Sequence, residues 1–309
     1  MVNVLVTGGY GFLGRASANK FKSQGCRVIG IGTGRWDKNE SQQHGYDEWL
    51  DASVSLSSLL SLNGQFNVIA HCAGNGSVGY SLDNPLQDFK KTVETTVEVL
   101  EYMRLRNSSA LLIYPSSAGV YGAKEDAPIK ETDPLNPISP YGYHKRIVEE
   151  LCESYSRNYH LKIVLIRFFS IYGNGLTKQL LWDASSNLLN SKGEAVFWGT
   201  GRETRDWVNV QDATELIFKA SSSNNLFTVL NGANGVRLTV KEVLEILREE
   251  LGISVNIKFN NNTRNGDPLF YHADISKAKS LGWLPKIPLR EGIRQYVNWF
   301  KEFNKKGNG

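Results

Sequence analysis

A chain of 309 residues is long enough for one large α/β unit or for two domains sharing a cleft, and 41% hydrophobic against 21% charged residues excludes a disordered chain. A net charge of +4, with no basic run interleaved with aromatics, gives no support to nucleic-acid binding and leaves an anionic small molecule as the expected partner. The three cysteines, Cys26, Cys72 and Cys152, fit neither a zinc site nor a disulfide framework, so no metal is expected and a reducing cytoplasm is inferred.

Short apolar runs predict strands at residues 2–6, 27–31, 68–70, 111–114 and 163–167, with a helix at 12–24 and long crossover helices at 89–106 and 141–158. That alternation is the pattern of an α/β protein with a doubly wound parallel sheet, the Rossmann architecture. No charged leader precedes the first strand and no apolar run is long enough to span a bilayer, so neither export nor membrane insertion is expected. Beyond residue 172 the elements shorten, with strands at 195–198 and 255–259 and helices at 239–251 and 289–303. Thr239 with Glu242 three residues on reads as a capping box. The expected division is a dinucleotide-binding domain, 1–172 plus about 207–236, and a smaller α/β substrate lobe, 173–206 plus about 237–309.

Between the first strand and the first helix lies Thr7-Gly8-Gly9-Tyr10-Gly11-Phe12-Leu13-Gly14. Glycines there permit a tight turn, let backbone approach a pyrophosphate, and let helix and strand pack closely, while helix N-terminal amides hold the phosphates. At the end of the second strand, where a ribose-binding carboxylate is expected, stand Gly32 and Thr33, with Arg35 close by. A small residue leaves room for a 2′-phosphate and a guanidinium can bind it, so NADP(H) is favoured, with NAD(H) as the alternative.

Tyr141 and Lys145 fall four apart after Pro140, so a helix opened by the proline places both on one face. The ammonium is expected to favour phenolate and to lower the tyrosine pKa, which suits acid–base work at an alcohol or ketone. Such a pair alone is common on any solvated helix face; the glycine turn and Ser117 give it weight.

Taken together, these features resemble the extended short-chain dehydrogenase/reductase family, in its branch of nucleotide-sugar epimerases, dehydratases and reductases. The resemblance rests on the glycine turn, His71-Cys72-Ala73-Gly74, Ser116-Ser117-Ala118-Gly119-Val120-Tyr121-Gly122, the Tyr141/Lys145 pair, Arg167-Phe168-Phe169-Ser170-Ile171-Tyr172-Gly173, Arg205-Asp206-Trp207-Val208, and Arg264-Asn265-Gly266-Asp267. It implies Tyr141 as general acid/base, Lys145 as the ribose-binding group that lowers its pKa, and Ser117 as the hydroxyl orienting the sugar oxygen. It further implies cofactor contacts from Gly8, Tyr10, Gly11, Phe12, Leu13, Gly14, Asp51, Ala52, Cys72, Ala73, Gly74, Ser116, Phe168 and Ser170. Substrate contacts are expected from Val78, Ser117 and Ser170, with Arg205 and Arg264 on the nucleotide diphosphate. Lys178 and Gln179 are candidates in a segment that matches no common substrate loop.

Where the family's dehydratases carry an acidic pair and its decarboxylases a glutamate, this chain has Ala118 and Gly119, which removes both chemistries. Thr92 and Ser170 replace usual asparagines. Because Gly32 and Arg35 favour the cofactor of biosynthetic reduction, the leading expectation is reduction of the C4 ketone of a nucleotide-linked 4-keto-6-deoxy sugar, with Tyr141 as proton donor. The alternatives are a 4-epimerase with tightly bound NAD and a non-catalytic dinucleotide-binding sensor or scaffold. A homodimer through the two long helices is expected.

Overall fold

The computed structural model describes residues 1–262 and 269–307. Strand β1 (Asn3–Thr7) runs into the glycine turn and helix α1 (Phe12–Ser23), and β2 (Arg27–Gly32) returns beside it. Helix α2 (Lys38–Gln43) is started by a capping box of Asp37 and Glu40 and leads to β3 (Glu48–Asp51), a half-exposed strand that the apolar pattern did not reveal. Helix α3 (Leu56–Leu60) precedes β4 (Val68–His71). Then α4 (Val78–Asp83), α5 (Pro85–Phe89), a π-helical turn at Lys90–Glu94 and α6 (Thr95–Arg106) follow.

The helix expected at 89–106 is thus interrupted. The Thr95 and Thr96 hydroxyls donate to the carbonyls of Lys91 and Thr92, four residues back, at 2.5 and 2.6 Å. Such bonds compete with the backbone ladder and bend a helix, and here they accompany the wider turn. Strand β5 (Leu111–Ser117) ends in a 3-10 turn at Ala118–Val120, and α7 (Pro140–Tyr159) and β6 (Lys162–Phe168) complete the first half.

The rest of the chain alternates between layers: β7 (Ser170–Tyr172), α8 (Gln179–Asn190), β8 (Glu194–Phe197), β9 (Thr204–Asn209), α9 (Val210–Ala220), β10 (Phe227–Gly232), β11 (Arg237–Thr239), α10 (Val240–Leu251), β12 (Asn256–Phe259), α11 (Ser276–Ser280) and α12 (Leu289–Gly307). The main sheet has seven strands in the order β10-β6-β5-β4-β1-β2-β3, every pair parallel. This is a Rossmann sheet, and its order reverses between β1 and β4, where the carboxyl ends leave a crevice for a ligand.

Apolar clusters fill both faces of the sheet, one including Val4, Val6, Phe21 and Val28 and the other Leu5, Ile69, Leu100 and Leu112. A separate cluster joins α8, α10 and α12 through Leu181, Leu247, Ile293 and Phe300. Small sheets β11-β9-β7 and β12-β8 sit with it. Among the described residues, no helix is long and apolar enough to cross a membrane.

Candidate active site

Ser139 caps α7, accepting the Gly142 N–H at 3.2 Å, and Pro140 occupies the first turn, so the helix begins where its sequence requires. The helix start places Tyr141 at the carboxyl end of β5. There the Ser117 hydroxyl lies beside the Tyr141 ring, each 3.4 Å from where a Gly119 Cβ would be, and it accepts the Gly119 N–H at 3.1 Å. The Tyr141 backbone N–H donates to Ser81 on α4 at 3.0 Å. Neither Ser81 nor Ser139 was singled out from sequence, although a Ser-Pro pair ahead of a helical run is a readable cap.

Lys145 differs from expectation. Its ammonium donates to the Tyr114 hydroxyl at 2.9 Å and to the Pro115 carbonyl at 3.0 Å, and stands 5.9 Å from the Tyr141 ring centroid. Burial pushes the Tyr141 phenol above its ordinary pKa, with the Ser117 hydroxyl opposing the rise and the Asp88 charge adding to it. The expected lowering is therefore not what this arrangement produces, because desolvation of the phenolate outweighs the help it receives. Burial also pulls the Lys145 ammonium down to about 8. Since kcat/KM reports groups of the free enzyme, it is expected to fall as pH rises through about 8, where Lys145 loses its charge, and a pH profile of kcat/KM checks this.

The turn after Ser117 fits against α7 because Gly142 has no side chain. A Cβ on Gly142 would lie 2.5 Å from the Gly119 carbonyl oxygen, backbone that cannot step aside. Gly142→Ala is expected to cost ~1–3 kcal/mol by overpacking and to lower kcat by displacing Ser117; a denaturation midpoint and kcat measured on the same variant check both.

Gly8 has φ +64°, and a Cβ there would lie 2.5 Å from the Ala73 nitrogen; one on Gly14 would meet the Gly8 carbonyl oxygen at 2.4 Å. The turn therefore brings β1, Ala73 and α1 closer than any side chain allows. Gly11 is the N-cap of α1 and no side chain caps the helix, so its first amides face the crevice, as phosphate binding requires. Leu13 packs into the sheet core and Phe12 against the second lobe, 3.7 Å from where a Gly175 Cβ would be. Tyr10 lies at 4.5 Å from the Trp36 ring, in an aromatic group with Trp49, His44 and Tyr46 that sequence reasoning missed.

Gly32 is in register with Asp51 at the ends of β2 and β3, and Ala52 donates its N–H to the Gly32 carbonyl at 3.1 Å. Thr33 is exposed. The Asp51 carboxylate accepts the Gly34 N–H at 3.1 Å and has the exposed Arg35 guanidinium at 3.9 Å, so the cation expected for a 2′-phosphate already faces an anion.

Behind the crevice, His71 is held by the Thr7 hydroxyl on Nδ1 at 2.6 Å and by Thr96 on Nε2 at 3.0 Å. Thr96 donates to Thr92, so it accepts from Nε2–H, and burial holds the ring neutral with a pKa near 3. Burial drives the Cys72 thiol up to about 12, which makes it unreactive. Gly74, with φ +132°, faces Thr92, whose hydroxyl accepts the Asn75 N–H at 3.3 Å.

The Ser116 hydroxyl points to Glu149 at 2.5 Å rather than into the crevice. Glu149 also takes Arg167 in a fork–fork pair, with N–O distances of 3.1, 3.1 and 2.7 Å. Phe168 is buried at the end of β6, and Ser170 begins β7 opposite Trp207.

On the opposite wall, Val78 opens α4. Lys178 and Gln179 reach the same loop: Gln179 donates to the Gly76 carbonyl at 3.0 Å, and the Lys178 ammonium is 3.9 Å from where a Gly76 Cβ would be. Gln179 holds φ +68°, a strained conformation for a residue with a side chain, and such residues gather at functional sites. Arg205 donates to the Thr204 carbonyl at 2.8 Å and lies 5.8 Å over the Tyr271 ring, whose hydroxyl donates to the Ala118 carbonyl at 3.0 Å. Arg264 lies outside the described residues.

Residues 4–229 match the model of the NAD dependent epimerase/dehydratase family. A Methanocaldococcus jannaschii protein provisionally named UDP-glucose 4-epimerase is 30% identical over 98% of this chain and 99% of its own length. UDP-glucuronate 4-epimerase 1 of Arabidopsis thaliana is 26% identical over 98% of this chain and 77% of its own length. Among solved structures, a UDP-glucose 4-epimerase of Thermotoga maritima with UDP-glucose superimposes with a TM-score of 0.87, at 26% identity, over 98% of this chain and all of the other. These likenesses overturn the expected 4-keto-6-deoxy-sugar reductase: each of these relatives carries a 4-epimerase name. The reductase reading had leaned on Gly32 and Arg35, which speak to the cofactor and not to the fate of the sugar.

Proposed function

The chain belongs to the NAD dependent epimerase/dehydratase family, and we propose that it epimerises a nucleotide-diphosphate sugar at C4 with NAD retained in the crevice. The observation that carries the proposal is the placement of the Ser117 hydroxyl and the Tyr141 ring side by side over Gly119, each 3.4 Å from where its Cβ would be, with Lys145 one turn on. Epimerisation needs a proton station that works in both directions. The phenolate form of Tyr141, beside the Ser117 hydroxyl, can take the C4 hydroxyl proton as the hydride leaves, and the phenol so formed can give that proton back. Ala118 and Gly119 add no second acid or base next to it, so nothing there drives loss of water or carbon dioxide.

Bound NAD would accept the C4 hydride and return it to the opposite face. The uncapped amides of α1, the close-packed Gly8 and Gly14, Asp51 at the adenosine end and Lys145 at the nicotinamide ribose are the groups proposed to hold it. NAD is preferred here over NADP(H). Solved 4-epimerases of similar fold are described in complex with NAD, and a reaction that returns its hydride each cycle draws on no reducing pool. Parallel titrations with both cofactors test this, and tighter binding of NADP(H) would count against it.

Incubating the protein with NAD and UDP-linked glucose, glucuronate or N-acetylglucosamine is expected to interconvert one sugar with its 4-epimer without net change in NADH absorbance. Cofactor binding with no turnover of any of them would favour a sensor or scaffold. Residues 173–206, 237–262 and 269–307 are proposed to line the sugar-nucleotide side, with Arg205 at the diphosphate and Lys178 above Gly76. Lys178→Ala is accordingly expected to raise KM about tenfold, the equivalent of ~1.4 kcal/mol of lost binding, with little change in kcat; initial-rate kinetics check it.

A further inference from the structure

Asp88 is fully buried on α5, and among the described residues its side-chain partners are His144 of α7 and Asn75, not a lysine or arginine. One carboxylate oxygen meets His144 Nδ1, and the other accepts from Asn75 Nδ2 at 2.6 Å. The Asn75 side chain also shapes its own loop, donating to the Ser77 carbonyl at 2.8 Å and accepting the Ser77 N–H at 3.1 Å. This is the loop that Lys178 and Gln179 reach at Gly76. His144 stands three residues after Tyr141 and directly before Lys145, with the Phe89 ring edge-on at 5.4 Å. A single carboxylate therefore joins the sugar-side loop, α5 and the turn of α7 that carries the proton-transfer groups.

The charge has a second consequence. Ser117 and Tyr114 face the Tyr141 and Lys145 pair from β5, Cys72 from the end of β4, Asp88 from α5, and His144, Glu149 and Cys152 from α7. Glu149 is neutralised by its fork with Arg167. Asp88 is the carboxylate in this set without a guanidinium partner, and its charge is the foremost influence opposing the desolvation of Lys145. A lysine in a dry site needs such an anion to stay charged.

We propose that Asp88 is a positioning residue of the reaction: through His144 and Asn75 its buried carboxylate locks the sugar-side loop to the turn of α7 that bears Tyr141 and Lys145. This rests on the assignment of Tyr141 and Lys145 as the proton-transfer pair. Removing the charge eases loss of the proton from both the ammonium and the phenol. In Asp88→Asn the falling limb of kcat/KM therefore moves to lower pH. The Tyr141 part of the tyrosinate absorbance, isolated by subtracting the same titration in a Tyr141→Phe background, moves the same way.

His144→Leu keeps the charge and removes its hydrogen-bond partner, so it moves both midpoints to higher pH; this variant serves if Asp88→Asn does not fold. His144→Asn restores a donor facing Asp88 and returns both midpoints toward the wild-type position. A merely structural role would lower kcat and leave the midpoints in place, and that result overturns the proposal. If the wild type turns over no nucleotide sugar while the phenol titration still shifts, the inference stands and the epimerase reading fails.

Discussion

Tyr141→Phe is expected to lower turnover ~10²–10⁴-fold while dinucleotide binding and folding are retained. The substitution removes one oxygen, that of the phenol. It leaves the ring against Gly119, where a Cβ would be 3.4 Å from it, and leaves the backbone N–H on Ser81 at 3.0 Å. The loss corresponds to ~2.7–5.5 kcal/mol of barrier, which belongs to proton transfer and not to binding. Steady-state rates together with a cofactor titration separate the two contributions. Equal turnover in variant and wild type would remove the phenol from the mechanism.

Glu149→Ala is expected to destabilise the protein by ~3–5 kcal/mol, because it strands a guanidinium that is only 5% exposed. Arg167 would keep its bonds to the Tyr121 hydroxyl at 3.0 Å and the Glu131 carbonyl at 2.9 Å, yet its charge would have no counter-ion. Ser116 would lose its acceptor in the same step. Against a total stability of ~5–15 kcal/mol this is a large fraction. It would appear as a lower urea midpoint at an unchanged m value. Replacing both partners by apolar residues, Glu149→Leu with Arg167→Met, is expected to cost less than Glu149→Ala, since no buried charge is then left alone. A double variant weaker than the single one would contradict that account.

Much of the fold was legible because it is local. The strands ending at Thr7 and Gly32 are short apolar runs, and the start of α7 follows from Pro140. Strand β3 was not legible, since its burial is partial and its sequence Glu-Trp-Leu-Asp has no apolar run. The break between α5 and α6 was hidden as well. It comes with threonine hydroxyls bonding back to the helix carbonyls, and a periodicity count over residues 89–106 does not register such bonds.

In the site, the shared face of Tyr141 and Lys145 could be read from spacing and Ser117 from the family resemblance, but the electrostatics could not. Spacing places an ammonium near a phenol; it does not say that Tyr114 and Pro115 hold the ammonium, or that burial outweighs it. The cofactor reading has the same character. Gly32 and Arg35 are visible in the chain, whereas the turn of Arg35 toward Asp51, 3.9 Å away, exists only once β2 and β3 lie side by side.

The amino-acid sequence by itself determined the strands of the doubly wound sheet, the glycine turn and the shared helical face of Tyr141 and Lys145, because each depends on neighbours within a strand, a turn or one helical face. Only the tertiary structure decided what surrounds them. Asp88 meets His144 across 56 residues, Gln179 meets Gly76 across 103, and Tyr121 meets Asn231 across 110. Contacts of that kind depend on how strands are ordered and helices crossed, and they leave no period in the chain to read.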